Sequence, residues 1–439
     1  MLQFWFVVNT LLWNIGAKLG GSNIGLNVVI LFAAGVIWFG KSWRIAIRSA
    51  NILLGFSAYV LISLVLELTG PCNDHLQKSL ISTPLLIFLG LLGLEIGRKA
   101  SYRDWLNLQK TAWWSMVAAF AAFFFEMLVP ALFPEQANYR SEGKFSGFFS
   151  EPSHAAFSLF PCIVILLASG DKKMRRRGVV SLFGLFLISR SSTLIALVLI
   201  FLLYRLAIQG KVRQAVIFTL AIGLLIGAGA AIDFKRFVLP TVDRVAGIAN
   251  PGATENISSL VYLQGWEDAW FNLQRTHGLG LGINMMGCGV APNVPARYAL
   301  GLADLDGLNA EDGSFLFSKI VSETGVVGIL FFVIIIWRWV QLEKRLRLLP
   351  MDEVRFAVTT QTALIFCFVA SSFIRGAGYF SGCLLLWIVT VGAASSWQSS
   401  LTNQPRRKRR FFLWTRRTRD NTKSDGDGPQ LSAANPGGE

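Results

Sequence analysis

Long apolar runs alternate with short basic clusters along most of this chain. The runs lie at about 2–19, 22–40, 49–69, 79–97, 111–133, 154–170, 178–189, 192–208, 214–232, 314–341, 356–374 and 378–398. A spanning helix needs roughly 20 mostly apolar residues, and only the run at 178–189 is clearly short. Charged residues make up 15% of the chain, against roughly 25% in a typical soluble domain. The sequence therefore predicts an all-α polytopic integral membrane protein with about 12 transmembrane helices.

Basic clusters follow every second apolar run. They lie at about 41–48, 98–103, 172–177, 211–213, 344–347 and 406–410. Because Lys and Arg accumulate in the cytoplasmic loops of membrane proteins, this order predicts that both termini are cytoplasmic. The net charge of +15 is thereby attributed to membrane topology, and we expect no nucleic-acid partner.

The longest segment between runs, at about 233–312, falls on the non-cytoplasmic side. It holds nine acidic and five basic residues, many Gly, Asn and Pro, and Trp266 and Trp270. Its aromatic and scattered apolar residues favour a folded outer cap. We therefore expect a transmembrane domain over 1–400 that includes this loop. The polar residues 401–439 are expected to form a disordered cytoplasmic tail, whose basic start lies on anionic lipid headgroups.

Two arginines occupy outer turns between apolar runs. Arg190 follows the short run at 178–189, which as a helix spans about 18 Å, less than the roughly 30 Å of a hydrocarbon core. We therefore expect Arg190 to lie below the outer surface, in a protein-lined cavity. Arg375 lies in a Gly-rich turn, SSFIRGAGYFSG. For both arginines the alternative is a side chain that reaches the headgroups without further function.

The segment PEQANYRSEGKFSGFFSEPSHAAF at 134–157 has the highest density of candidate groups. Pro152 suits a first helical turn, with Ser150 as a candidate N-cap. Glu151 is either a capping carboxylate, a group that orients a hydroxyl or an Arg, or a base. His154 is either a general base, a hydrogen-bond donor or a buried histidine with an internal partner. Arg140 either contacts an anionic ligand or is solvated.

A further candidate is His277, which closely spaced glycines follow in RTHGLGLGINMMGCG. This Gly-rich backbone beside a histidine is suited to line a polar ligand. The chain has no CxxC pair and no HExxH helix, and no metal site or cofactor is expected. Cys72 and Cys288 are the Cys residues of the outer loops and are either disulfide-bonded or two thiols.

Several of these segments, taken in order, resemble a known family. They are Arg140 followed by GFFSEPSHAAF at 147–157, LISRSSTLIALVLI at 187–200, THGLGLG at 276–282, DGSFLFSKIVSETGVVGILFF at 312–332 and the Arg375 turn. Together they resemble bacterial O-antigen and exopolysaccharide repeat-unit polymerases of the Wzy type, in the O-antigen ligase/polymerase superfamily. The resemblance covers roughly 140–380, and the first 130 residues share only hydropathy with the family.

The resemblance implies a fold like that of GT-C-type membrane glycosyltransferases, in the bacterial inner membrane with a periplasmic active site. It implies an oligosaccharide donor on undecaprenyl pyrophosphate, a second lipid-linked unit as acceptor, and a chain-length regulator as a possible partner. Two alternatives stand beside it. One is an O-antigen ligase that transfers to lipid A–core, although the His-x-His-Asn-like element of ligase loops is absent from the sequence. The other is a flippase for lipid-linked oligosaccharides.

A pyrophosphate leaving group needs fixed positive charge where negative charge develops, and guanidinium groups supply it. On this basis Arg190 and Arg375 are expected to hold the pyrophosphate, with Arg140 assisting. The base at the acceptor hydroxyl is expected to be Glu151 or His277, and His154 is expected to position either one. No metal ion is required, because the lipid donor is already activated.

Overall fold

The computed structural model describes most of the apolar runs and part of the long segment 233–312. The described residues are 1–12, 16–19, 22–41, 55, 57–58, 61, 76–133, 136–141, 143–208, 257–292, 294–302, 304–305, 307–310, 313–349, 353–374 and 378–402. Met1–Ala393 form one unit, to which all contacts described below belong. Ala394–Glu439 form a second unit, described only as far as Thr402.

Nearly all described elements are helices. The α-helices are α1 (Leu2–Leu11), α2 (Leu26–Lys41), α3 (Leu76–Lys99), α4 (Tyr102–Leu128), α5 (Ala137–Ser141), α6 (Pro152–Ala168), α7 (Lys172–Ser189), α8 (Ser192–Ile208), α9 (Ile257–Arg275), α10 (Pro295–Gly301), α11 (Leu316–Thr324), α12 (Val326–Leu348), α13 (Glu353–Ser372) and α14 (Gly382–Thr402). Short 3₁₀ turns lie at Pro130–Leu132 and Met286–Cys288, and an antiparallel hairpin pairs β1 (Gly16–Leu19) with β2 (Ser22–Gly25).

Local sequence fixes where two of the long helices begin. Ser101 precedes α4 and forms a capping box: its hydroxyl accepts the Asp104 amide at 3.3 Å, and the Asp104 carboxylate accepts the Ser101 amide at 2.9 Å. Asp171 precedes α7, and its carboxylate accepts the Lys173 amide at 2.9 Å. Both caps satisfy amides that a helix start leaves without partners.

Three helix corners share one end of the unit. Ser169, between α6 and α7, donates to Gln109 near the start of α4 at 2.8 Å. Gly170 lies against the ring of Phe356, near the start of α13. The corners α3–α4, α6–α7 and α12–α13 therefore lie together. We call this the basic end, because it carries the clusters at 98–103, 172–177 and 344–345.

Both the first and the last helix of the unit also reach the basic end. Gln3 donates to the carbonyl of Asp104 at 3.1 Å. In α14, a Cβ at Gly392 would lie 2.2 Å from the carbonyl oxygen of Leu94, and a Cβ at Gly97 would lie 2.0 Å from that of Val389. Small residues permit such backbone approach, which is typical of helix crossings in membranes.

One hydrophobic core cluster lies between α11, α12, α13 and α14. Its centre is a stack of rings in which Phe368 lies 5.9 Å from Phe332 and 5.0 Å from Trp387.

Four described helices are long and apolar enough to cross a membrane: Lys78–Lys99, Tyr102–Leu128, Val326–Leu346 and Val354–Ser372. Five shorter apolar helices accompany them: Leu2–Leu11, Leu26–Gly40, Pro152–Ala168, Thr193–Leu206 and Gly382–Ala393. This set suits a membrane-embedded helical protein. The expected spans at 49–69 and 214–232 lie largely or wholly outside the described residues, as does the tail from 403.

Two expectations from the apolar runs are wrong. The run at about 2–19 was expected to be one spanning helix, but α1 ends at Leu11 and Gly16–Leu19 form β1. The second concerns the short run before Arg190. The run at 178–189 is part of α7, which begins at Lys172 and has 18 residues, a length of about 27 Å. The basic residues extend the helix because Lys and Arg are good helix formers. Arg190, at the end of α7, is exposed, so the structure does not enclose it in a cavity.

Candidate functional site

The loop 143–151, between α5 and α6, is held at the end of the unit opposite the basic end by a buried carboxylate. Glu126, near the end of α4, is fully buried. Its Oε2 accepts the amides of Ser146 at 2.9 Å and Gly147 at 2.7 Å. Gly147 has a φ of +61° and packs against Phe123, so the turn depends on glycine. Sequence reasoning missed Glu126, although it is a lone carboxylate in the apolar run 111–133.

Arg140 is directed inward at this carboxylate. Its Nη1 lies 3.6 Å from Glu126 Oε1 and donates to the carbonyl of Phe133 at 2.6 Å. The Arg140 side chain is 18% exposed. The structure therefore gives Arg140 an internal role in holding the loop 143–151. It was expected to contact an anionic ligand, and its engagement with Glu126 leaves it less suited to that task.

Arg190 occupies an unusual backbone conformation at the corner between α7 and α8. Its φ of 44° and ψ of 38° are left-handed, a region that non-glycine residues visit rarely and at a cost of about 1 kcal/mol or more. Its Nη1 lies 3.1 Å from where a Cβ of Gly143 would be. Phe145 donates to the carbonyl of Ile188 at 3.1 Å. The loop 143–151 thus packs on the Arg190 corner, and Gly143 makes room for the guanidinium.

The start of α6 carries a compact polar group. Pro152 is the first helical residue, as expected, but the N-cap is Glu151 and not Ser150. Glu151 makes no side-chain cap; its carboxylate accepts the Ser153 hydroxyl at 2.7 Å. Ser150 instead lies 2.7 Å from Nδ1 of His154. This contact orients the imidazole, and both Glu151 and His154 are half-buried.

Arg190, Glu151 and His154 share one end of the helix bundle. The helices α6 and α7 pack as an antiparallel pair, with Gly178 close against Leu166, so the start of α6 and the end of α7 lie together. The structure thus brings a cation, a carboxylate and an imidazole to one region. Arg375 lies outside the described residues, in the segment that follows α13.

A second polar cluster lies where the glycine-rich turn 278–282 meets the corner between α11 and α12. The amides of Leu281 and Gly282 donate to the carbonyls of Ser322 and Glu323, each at 2.9 Å, and Val326 donates to the carbonyl of Gly278 at 2.8 Å. A Cβ at Gly280 would lie 2.4 Å from the Glu323 carbonyl oxygen. Two separate motifs of the sequence are therefore a single interlocked structure.

Beneath this turn, Glu323 is fully buried and collects four donors. Its Oε2 accepts the Asn284 amide at 2.7 Å and the Tyr379 hydroxyl at 2.6 Å. Its Oε1 accepts the Met286 amide at 3.3 Å and lies 3.2 Å from Nζ of Lys319. Sequence reasoning did not identify this carboxylate. Ionisable pairs at such depth are costly and are candidates for function.

The Glu323 cluster extends to α3. The Asn284 amide group donates to the Ser82 hydroxyl at 2.5 Å, and the Ser79 hydroxyl donates to the carbonyl of Ile283 at 2.9 Å. The outer segment 278–289 is therefore fixed to the helix bundle by buried polar bonds.

His277 lies at the rim of this second cluster, in a left-handed conformation with a φ of 50°. It is exposed. Its neighbour Gly278 bonds to Val326 at the start of α12. The structure therefore assigns His277 to the turn above Glu323, and Glu151 with His154 to the other cluster.

The described part of the outer loop is folded around another ion pair. Asp268 of α9 lies 2.9 Å from Nη2 of Arg297 and accepts the Ala291 amide at 2.8 Å. Burial raises the pKa of Asp268, and these two donors oppose the shift. Cys288 lies between Asp268 and Arg297 in the sequence and is disulfide-bonded. Its candidate partner, Cys72, lies outside the described residues.

Within the described ranges, no group of three His, Cys, Asp or Glu side chains is arranged to hold a metal ion. A comparison of the chain with protein-family models and with curated proteins finds no match.

Proposed function

We propose that this chain is a membrane glycosyltransferase that polymerises undecaprenyl-pyrophosphate-linked oligosaccharide units into O-antigen or exopolysaccharide at the periplasmic face of the inner membrane. The observation that carries the proposal is Arg190. It is exposed, it is held in a left-handed conformation, and it lies at the helix end where Glu151 and His154 begin α6. Strained backbone at a polar cluster is a frequent mark of functional sites.

The proposed chemistry assigns a role to each group. The guanidinium of Arg190 offers planar paired donors to the departing pyrophosphate, with Arg375 as its expected partner. Glu151 takes the proton of the acceptor hydroxyl, and His154, at the same helix start, positions it. His277, in the turn above Glu323, is the alternative base. Arg140 supports the site indirectly, through Glu126 and the loop 143–151.

The disulfide of Cys288 supports the proposed sidedness. Such bonds persist in oxidising compartments, including the bacterial periplasm. Cys288 belongs to the outer segment at the end opposite the basic clusters. Both this bond and the positive-inside rule therefore favour the same face for the site.

The test uses purified protein with a synthetic undecaprenyl-pyrophosphate oligosaccharide, with product ladders read by electrophoresis. Wild type should give a ladder, and Arg190→Ala should reduce its formation about 100-fold or more. Arg190→Lys should also be impaired, because Lys lacks the planar fork. Arg175→Ala, an exposed arginine at the other end of α7, is the matched control and should be unchanged. A normal ladder from correctly folded Arg190→Ala would contradict the proposal.

The same assay separates the alternatives. A single transfer to lipid A–core, without a ladder, would indicate a ligase. No glycosidic product, together with movement of the lipid-linked unit across reconstituted vesicles, would indicate a transporter.

A further inference from the structure

A cationic pocket lies at the basic end, far from the candidate site. It forms between α4 and the first turns of α7, and it is lined by Trp113, Asp171, Lys172, Lys173, Arg176, Arg177 and Val180. Four cations in the lining face one carboxylate. Because basic residues outnumber acidic ones in the lining, the pocket carries net positive charge.

Arg177 is held in place at the wall of this pocket. Its guanidinium carbon lies 4.7 Å from the centre of the Trp113 ring, a cation–π contact. Its Nη1 also lies 3.7 Å from Sδ of Met174. Because this guanidinium is already oriented, ligand binding costs less side-chain conformational entropy than it would for an unrestrained arginine.

The face of α7 below the pocket is apolar and exposed. Val180 and Phe183 are each 63% exposed, and they follow Arg176 at helical spacings of four and seven residues. Along one stripe, the helix therefore changes from basic side chains to exposed apolar ones. A phosphate group in the pocket and an acyl chain along the stripe would fit this order.

We propose that this pocket binds the headgroup of an anionic phospholipid, with its phosphodiester against Arg176, Arg177 and the adjacent lysines, and its acyl chains along Val180 and Phe183. The accumulation of basic residues on one membrane side explains charge in this region. It does not explain a pocket with an arginine stacked on Trp113. The site is independent of the proposed glycosyltransferase activity.

The test measures lipid binding to the purified full-length protein in detergent by native mass spectrometry, with phosphatidylglycerol and with phosphatidylcholine of the same acyl chains. Phosphatidylglycerol should bind and phosphatidylcholine should not compete. The double variant Arg176→Ala, Arg177→Ala should weaken phosphatidylglycerol binding about 20-fold, since each arginine loses its charge-assisted hydrogen bonds to the phosphodiester. Trp113→Ala should weaken it as well, because Arg177 loses its stacking partner.

Two matched controls are available in the chain. Arg175 is exposed on the same turn of α7 but does not line the pocket, and Trp114 is 66% exposed beside Trp113. Arg175→Ala and Trp114→Ala should leave binding within about twofold of wild type. Equal losses of phosphatidylglycerol binding in Arg175→Ala and Arg176→Ala would mean that the lipid is held by non-specific electrostatic attraction to this end, and would overturn the proposal. Displacement of the lipid by millimolar inorganic phosphate or glycerol 3-phosphate would overturn the assignment to a lipid.

Discussion

Glu126 is a single buried carboxylate on which a whole loop depends. It accepts two loop amides and lies beside Arg140. In Glu126→Ala these amides and the guanidinium lose their acceptor in a buried site, so we expect a destabilisation of about 3 kcal/mol. Thermal unfolding of the purified protein, followed by circular dichroism, measures it.

Glu126→Gln is the matched variant, because its amide oxygen still accepts from one or both loop amides. We expect a smaller loss of stability than for Glu126→Ala. The loop 143–151 packs on the Arg190 corner. We therefore expect the glycosyl-transfer activity in the ladder assay to fall in the same order as stability, from wild type through Glu126→Gln to Glu126→Ala. Equal stability of Glu126→Ala and wild type would show that these bonds contribute nothing net.

Lys319 and Glu323 form a buried ion pair whose two members are 1% and 0% exposed. Lys319→Met leaves a carboxylate without its cation, and we expect a loss of about 3 kcal/mol. Adding Glu323→Gln removes the stranded charge while it keeps an acceptor for the Tyr379 hydroxyl. The double variant should therefore be more stable than the sum of the single losses predicts, by about 2 kcal/mol.

A double-mutant cycle from thermal unfolding gives this coupling energy directly. Additive losses would mean that the two charges do not interact in the folded protein. Tyr379→Phe serves as the reference for loss of a single neutral hydrogen bond to the same carboxylate.

These residues also show what sequence reasoning can reach. Arg190, Glu151 and His154 are recognisable because each is polar or charged beside the end of an apolar run. Glu126 and Glu323 are also charged residues in apolar runs. However, the amides that hydrogen-bond to their carboxylates are distant in the sequence. The amides of Ser146 and Asn284 reach them only through the fold, at separations of 20 and 39 residues.

At the scale of elements, the joint between the glycine-rich turn 278–282 and the α11–α12 corner is the most demanding contact. Gly325 has a φ of +59° and a ψ of −135°, and its Cβ would lie 1.9 Å from the carbonyl oxygen of Gly278. Gly325→Ala should therefore destabilise the protein by about 3 kcal/mol, measured as a lowered unfolding midpoint.

Gly307→Ala is the control for that variant, since a Cβ there meets nothing within 4 Å. It should leave the midpoint unchanged. If Gly325→Ala unfolded at the wild-type midpoint, the interlocked backbone would not be required for stability.

Element boundaries were harder to predict than element type. The apolar runs located most of the described helices, because a membrane helix is defined by its apolar length. They missed that α7 begins at Lys172, since hydropathy ignores the helix propensity of Lys and Arg. They also gave no sign of the hairpin at Gly16–Leu19 and Ser22–Gly25, which lies at the boundary between two apolar runs.

For the whole molecule, the described contacts place three basic clusters, at 98–103, 172–177 and 344–345, at one end of the unit Met1–Ala393. Ser169 with Gln109, Gly170 with Phe356, and Gly97 with Val389 bring the start, the basic corners and the last helix of this unit to one end. The close backbone crossing of α3 with α14 was not predictable, because no local pattern shows which helices will be neighbours. By the positive-inside rule, we expect this end to be cytoplasmic.

Sided labelling tests that assignment. Ser141, in α5, and Lys173, at the start of α7, are both exposed and lie at opposite ends of the unit. Cys162, Cys367 and Cys383 are buried thiols, and Cys288 is disulfide-bonded, so wild type sets a low background for a membrane-impermeant maleimide. In intact bacterial spheroplasts Ser141→Cys should react within minutes, whereas Lys173→Cys should react only after permeabilisation. Because a maleimide cannot cross the bilayer, the reverse order would place Arg190 and Glu151 on the cytoplasmic face, where no periplasmic polymerase could use them.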